Sequence, residues 1–210
     1  LLACGADSFF HFGTLSECLD HGARGSPFGR ALGPPRSRAW NSRVRCRGTT
    51  TQDPSTTFAE YCDIVDWSAI GERSILSGLH ATSPIVIPTG VLLYTVPVRR
   101  EATAGFVTVL MSLGDDIKAK RDAVQWAGMN TGSAGTLWDA RLFPIEPTRE
   151  ASLRSTLSMN EKRNEEGSFK MPPDGVSMAD LVSIVNTTEF LEWRQGFSDP
   201  KPPGLLGMRN

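Results

Sequence analysis

The chain has 210 residues, of which 40% are hydrophobic and 21% charged, and its formal net charge is −1. This composition is enough for a genuine hydrophobic core, so it excludes a chain that is disordered throughout. The charge is unevenly spread: residues 21–52 hold seven arginines and no acid, whereas residues 53–210 hold 20 acids against 15 basic residues. A general nucleic-acid-binding surface is therefore not expected on the acidic part.

Residues 1–57 are predicted to form a basic arm that is ordered by a partner or serves as a targeting segment. The stretch 21–48 is rich in Arg, Ser, Gly and Pro, which is typical of a transit peptide and predicts a plastid or mitochondrial protein. The alternatives are an arm docked on protein, an arm on a phosphate backbone, and sequence that never folds. Because this segment contains few apolar residues, it needs a partner to offset the entropy that it loses when it becomes ordered. The predicted partner-binding residues are Arg36, Arg38, Trp40, Arg43, Arg45 and Arg47, together with Trp193 and Phe197.

Four potential soft metal ligands lie in one short region near the amino terminus. They are Cys4, His11, Cys18 and His21. Tetrahedral zinc can use such ligands, but their six-residue gaps do not match a zinc knuckle. Thiols and imidazoles that pack singly are the favoured interpretation, so no metal and no cofactor is predicted.

The folded domain is predicted to span residues 58–197 and to begin with a helix. Thr57-Phe-Ala-Glu60 has the form of a capping box, which predicts a short helix reaching about Trp67. Glu60, Asp63 and Asp66 recur at three-residue spacing, and a solvated helix edge is favoured over a cation site.

The stretch from Ser83 to Leu113 is rich in β-branched residues and predicts the central β-hairpin. Pro88 and Pro97 cannot donate ladder hydrogen bonds, so edge, bulge or strand-end positions are expected for them. The polar segment 99–105 predicts a connection longer than two residues. The run Leu79–Val98 lacks Asp, Glu, Lys and Arg, which leaves membrane contact open, although its three prolines argue against a spanning helix.

The remainder of the domain is predicted to alternate helices with loops. A helix is expected over 117–127, followed by a loop over 128–135 that resembles a phosphate cradle but lacks the required Gly-Lys-Ser/Thr ending. A short strand or edge segment is expected over 136–143. A long surface connection is expected over 148–175, in which Glu150, Leu153, Arg154 and Leu157 permit a marginal helix after Thr148. Two helices begin near Ser177 and Thr187, and residues 198–210 form a Pro-rich extended tail.

These patterns predict an α+β fold: a small mixed domain whose central hairpin or sheet is covered by helices, with extended arms at both ends. No catalytic motif stands out, which favours a noncatalytic structural or accessory subunit of a larger organellar assembly. The expected partners are other protein subunits, with nucleic acid contacted only through the basic arm, membrane association left open, and no small-molecule ligand identified. One alternative is a soluble enzyme with a site near His80, Tyr94 and the 128–135 loop. Another is a viral coat subunit with a basic arm.

Overall fold

The computed structural model describes residues 14–22, 44–46, 57–66, 69–118, 135–166 and 172–197, and these residues form the α+β fold that was predicted. The elements, in chain order, are α1 (Leu15–Gly22), β1 (Arg45–Cys46), β2 (Phe58–Glu60), β3 (Asp63–Ile64), β4 (Ile75–Ser77), β5 (His80–Ala81), β6 (Val91–Arg100), β7 (Thr103–Ser112), α2 (Arg149–Glu166), α3 (Met178–Ile184) and α4 (Thr187–Gln195).

Strands β2 to β6 form a stack of parallel coils, each 17 residues long. Phe58 pairs with Ile75, and Ile75 pairs with Leu92, so β2, β4 and β6 lie side by side in one sheet. The same offset joins β3 to β5 in a second sheet, and an isolated bridge joins Ile70 to Ile87. A constant offset on three sides of the coil means that each turn of chain lies directly on the previous one. We call residues 58–98 the coil stack.

Stacking at constant register brings apolar side chains of successive coils into buried columns. Because the offset is the same on every side, a buried position in one coil falls against its equivalent in the next. Removing such columns from water is the main stabilising contribution in a fold of this kind. The buried columns are Ala59–Leu76–Leu93, Cys62–Leu79–Val96, Ile64–Ala81–Val98 and Ile70–Ile87.

The corners of the coils repeat as well. Tyr61 and Gly78 have φ values of 51° and 67°, and Arg73 and Gly90 have 52° and 73°. Both pairs are 17 residues apart, so the same left-handed turn recurs at the same two places in consecutive coils. Glycine adopts this conformation without strain, whereas Tyr61 and Arg73 hold it at a cost in free energy.

The central hairpin was predicted, but its turn is shorter than expected. β6 and β7 pair from Val91–Ser112 to Arg100–Thr103, so only two residues connect them and the first, Glu101, has a φ of 54°. The expectation of a connection longer than two residues is therefore wrong. The strands extend through the charged segment because the ladder continues to offer cross-strand hydrogen bonds there.

Pro97 lies inside β6 and not at the expected edge, bulge or strand end, and its missing N–H is tolerated there for a specific reason. Its cross-strand partner Phe106 directs both its N–H and its C=O away from β6, to the backbone of Glu146. The pair is therefore not hydrogen-bonded, and no ladder bond is lost. The Pro97 carbonyl accepts from the Asn186 N–H on the opposite side, at 2.9 Å.

Helix α2 covers the hairpin with a largely polar face. The Ser152 hydroxyl donates to the Thr108 hydroxyl at 2.9 Å, and the Thr156 hydroxyl donates to the Thr108 carbonyl at 3.0 Å. The Thr95 and Thr108 hydroxyls lie 2.8 Å apart, and all of these side chains are buried. Leu153 supplies apolar contact beside them. The surface connection predicted over 148–175 is thus wrong for its first half, where the marginal helix permitted after Thr148 forms as the full helix α2. Hydroxyl pairing replaces part of the apolar stripe that signals a buried helix.

Two further helices follow close to their predicted positions. Ser177 and Asp180 form the capping box that begins α3. Asn186, rather than either of the threonines after it, caps α4, because its side chain accepts from the Glu189 N–H. Val182 of α3 is 75% exposed.

Two local predictions are contradicted and one lies outside the described residues. The predicted helix from Thr57 is instead β2 and β3, since pairing to the next coil outweighs the capping box and the Thr57 hydroxyl donates to the Gly71 carbonyl. The stretch 136–143 forms a turn and a single bridge from Phe143 to Val176. Of the predicted 117–127 helix, only the turn at 117–118 is described. The described part of the chain holds no helix long and apolar enough to cross a bilayer, and Leu79–Val98 contributes to β5 and β6.

Candidate functional site beneath helix α4

One outer face of the coil stack carries ionisable side chains in a column. Arg45 pairs with Asp63, and Asp63 pairs with His80, so a cation, a carboxylate and an imidazole lie on adjacent strands β1, β3 and β5. The His80 Nδ1 lies 3.8 Å from the Asp63 carboxylate, too far for a hydrogen bond. Polar groups stacked at strand spacing can act on one ligand together.

Helix α4 lies across this column. The Trp193 indole N–H donates to the Tyr61 carbonyl at 2.9 Å, and the indole packs edge-on against the His80 imidazole with ring centroids 5.9 Å apart. Phe197 packs against both Tyr61 and Trp193. Arg45 donates to the Gly196 carbonyl and lies over the Phe197 ring, 4.4 Å from its centroid. The helix and the two residues after it therefore contact β1, β5 and the turn between β2 and β3.

A buried arginine lies behind the indole. Arg149, the first residue of α2, is only 6% exposed, and its Nη1 donates to the carbonyls of Gly78 and Thr95 at 3.1 and 3.3 Å. Its guanidinium lies over the rings of Trp193 and Phe106, 4.3 and 4.9 Å from their centroids. Such contacts compensate part of the cost of burying the charge.

Burial lowers the pKa of Arg149 to about 10, against the opposing effect of the Glu189 carboxylate. The group stays protonated at neutral pH even so. A permanent cation is thus held inside the protein.

Two nitrogen atoms in this cluster have no hydrogen-bond partner among the described residues. They are Arg149 Nη2 and His80 Nδ1, both shielded from solvent and both on side chains that contact Trp193. Buried polar atoms normally find partners, and leaving one unpaired costs about 1–3 kcal/mol. An oxygen-bearing ligand that reached these atoms would satisfy both.

The structure brings together three of the predicted partner-binding residues, Arg45, Trp193 and Phe197, in contacts within the chain itself. Arg36, Arg38, Trp40, Arg43 and Arg47 lie outside the described residues. Binding of a partner by any of these residues stays a prediction, as does an organellar location.

The predicted enzyme site is described only in part. His80 belongs to the cluster beneath α4, whereas all of the 128–135 loop except Gly135 lies outside the described residues. Tyr94 lies on β6, beside Ser77 of β4, and burial raises the pKa of its hydroxyl.

Sequence reasoning missed the cluster's central residue, Arg149, and the link between Asp63 and His80. A sequence signal for the pairing of Asp63 with His80 was present, since these residues are 17 positions apart. Tyr61 and Gly78, at equivalent coil corners, are also 17 positions apart. Detecting that period would have predicted stacked coils and a shared outer face. No comparable signal marks Arg149, because its burial depends on tertiary packing.

A second concave region lies at the tip of the hairpin. It is a cleft of about 560 Å³ between the β6–β7 turn and the proline-containing segments 144–145 and 172–174. Its charged groups are Arg100, Glu101 and Asp174, so one cation faces two carboxylates. Within the ranges that the structure describes, no group of three or more His, Cys, Asp or Glu side chains could hold a metal ion. The potential zinc ligands Cys4 and His11 lie outside those ranges.

Comparison with known families identifies the chain. A family model described as the fucose pyrophosphorylase domain matches residues 1–148, which include the coil stack and the hairpin. No curated protein and no solved structure matches the chain.

This match overturns the functional hypothesis drawn from the sequence. The prediction of a noncatalytic structural or accessory subunit is wrong, and so is the coat-subunit alternative, because the matching family is named for an enzymatic activity. The error came from treating missing catalytic motifs as evidence, although catalytic groups converge in space and need share no sequence pattern. With its model matching residues 1–148 of 210, the chain belongs to the fucose pyrophosphorylase domain family.

Proposed function

We propose that this chain forms part of a nucleotidyltransferase that interconverts fucose 1-phosphate and a nucleotide-activated fucose. In the forward direction, a phosphate oxygen of fucose 1-phosphate attacks the α-phosphorus of a nucleoside triphosphate. The bond between the α-phosphorus and the bridging oxygen breaks, and pyrophosphate leaves. The reverse reaction consumes pyrophosphate and regenerates the triphosphate.

The single observation that carries this proposal is the family match over residues 1–148. The chemistry involves phosphate groups throughout, so it needs fixed cations and N–H donors near the substrates. The cluster beneath α4 supports the proposal, because Arg149 and His80 supply nitrogen donors there without partners among the described residues.

The test is isotope exchange between pyrophosphate and nucleoside triphosphate. The purified chain is incubated with a nucleotide-activated fucose, Mg²⁺ and labelled pyrophosphate, and labelled triphosphate is measured for each of the common bases. We expect label in the triphosphate with the fucose compound and at least tenfold less with the corresponding mannose compound. No exchange above that of heat-denatured protein, whatever the base, would contradict the proposal.

A further inference from the structure

We propose that Arg149 and His80 form a binding site for a phosphate monoester, which Trp193 closes in the structure described here. The class of ligand follows from the donors, whereas fucose 1-phosphate as the natural ligand rests on the proposed function. This site lies partly beyond the family match, since Arg149 follows its last residue.

The ligand class follows from the two unpartnered atoms. Arg149 Nη2 is a permanent donor on a cation, and His80 Nδ1 can donate when the ring carries a proton there. Both are side-chain nitrogens, and both lie against the same indole. Two such donors suit a group with several acceptor oxygens and negative charge, and phosphate is the group in this chemistry that has both.

The acidic groups around the site favour a sugar phosphate over a free anion. Asp63 lies 3.8 Å from His80 Nδ1, and the Glu189 carboxylate acts on Arg149. A carboxylate repels a phosphate but accepts hydrogen bonds from hydroxyl groups. A ligand that presents its phosphate to Arg149 and His80 and its hydroxyl groups towards the neighbouring carboxylates fits both kinds of group.

The cover of the site is suited to opening. None of the nine residues of α4 is buried, although Trp193 is half-buried. Phe190 of the helix packs against the core as a partly buried side chain. The helix is otherwise held by the indole hydrogen bond to Tyr61 and by arginine–aromatic contacts, including Arg194 over the Tyr61 ring at 4.1 Å. Each such contact contributes about 0.5–2 kcal/mol, far less than a buried apolar face would. Opening α4 would expose the donors without disturbing the buried columns of the coil stack.

The experiment uses the full chain and isothermal titration calorimetry with three probes: fucose 1-phosphate, inorganic phosphate and free fucose. We compare the unmodified protein with Trp193→Ala, which removes the cover. Closure reduces apparent affinity by the fraction of open molecules, so the variant should bind fucose 1-phosphate roughly tenfold or more tightly. Inorganic phosphate should bind the variant more weakly than fucose 1-phosphate does, and free fucose should give no measurable heat.

Second substitutions in the Trp193→Ala background identify the donors. His80→Gln and Arg149→Lys should each weaken fucose 1-phosphate binding roughly ten- to hundredfold, as expected for the loss of a charge-assisted hydrogen bond. Arg141→Gln, at a side chain that is 60% exposed, removes a cation elsewhere and should leave binding unchanged. Circular dichroism and thermal unfolding establish that each variant is folded, and His80→Gln tests the site even where Arg149→Lys fails to fold.

Three results would overturn the inference: equal binding by the unmodified protein and Trp193→Ala, unchanged binding in the folded His80→Gln double variant, or free fucose binding as tightly as its phosphate. The exchange reaction is measured separately. If exchange fails while Trp193→Ala binds inorganic phosphate through Arg149 and His80, the site stands and the proposed function falls. If exchange occurs but no phosphate probe binds there, the proposed function stands and the site falls.

Discussion

The coil stack and the helices that pack on it are held together by different forces. Inside the stack, apolar side chains recur every 17 residues and form continuous buried columns, so each coil contacts equivalent residues of the next. Helix α2 docks through hydroxyl pairs beside two buried leucines, and α4 docks through arginine–aromatic contacts. Apolar burial is non-directional and large, whereas these polar contacts are directional and individually small.

This difference indicates a division of roles. The coil stack provides a rigid frame with ionisable residues in register on its outer face. Helix α4, which follows the family match, has no buried residue of its own, so displacing it from that frame should cost less free energy. Sites that open and close are drawn from such weakly held elements.

The largest expected effect comes from a buried column. Leu76→Ala removes a fully buried side chain between Ala59 and Leu93, and it should lower the free energy of unfolding by about 2–5 kcal/mol. Leu191→Ala, at a side chain on α4 that is 49% exposed, is the matched control and should cost much less. Urea unfolding measures both, and equal losses would mean that the column is not the main stabilising feature.

A pair of glycine substitutions tests the coil corners. Gly78→Ala places a Cβ 2.6 Å from the Thr95 carbonyl oxygen, whereas at Gly90 nothing lies within 4 Å. Both glycines have positive φ, so each substitution should cost about 1–2 kcal/mol from conformation alone. Gly78→Ala should cost more, because the next coil must also shift. Urea unfolding measures both variants. A larger loss of stability in Gly90→Ala than in Gly78→Ala would contradict this prediction.

The polar contact between α2 and the hairpin should contribute less to the free energy of unfolding than a buried column does. Thr108→Val removes the hydroxyl that pairs with those of Ser152 and Thr95, leaving both in a buried setting, and should cost about 1–3 kcal/mol. Ser152→Ala with Thr108→Val should cost less than the sum of the two single changes, since both remove one hydrogen bond. Strict additivity in the double-mutant cycle would show that the hydroxyls do not interact.

The smallest effect is a pH dependence at the rim of α2. Desolvation raises the pKa of Glu150, but hydrogen bonds from Thr82 and Arg154 outweigh it and lower the pKa to about 2. A depressed folded-state pKa stabilises the fold above the unfolded-state value near 4.5, and this contribution is lost as pH falls towards 2. Glu150→Gln should therefore reduce stability at pH 7 and make no difference near pH 2. A stability gap that persists at low pH would exclude this cause.

The sequence was most informative where local chemistry alone determines structure. The central hairpin and the Ser177–Asp180 capping box were predicted, because alternation and caps act over a few residues. The coil at Thr57 was mistaken for a helix, because its strands are only two or three residues long and are fixed by neighbours 17 positions away.

The candidate site was harder to predict than the fold. His80 and Trp193 were singled out, but for separate roles, and nothing local joins them. Their contact requires α4 to fold back over the coil stack, and Arg149 lies over the same indole from a helix whose buried face is largely polar. Hydrophobic patterning cannot detect such a face.

Native-state hydrogen exchange of the full chain tests the central claim most directly, namely that α4 opens separately from the coil stack. The backbone amides of 190–195 should exchange through a local opening that is independent of denaturant, whereas the amides of β4 and β6 should exchange only on global unfolding. Trp193→Ala should accelerate exchange in α4 and leave β4 and β6 nearly unchanged. If the amides of α4 exchange at the rate of global unfolding in the unmodified protein, the helix is part of the rigid frame and the account is contradicted.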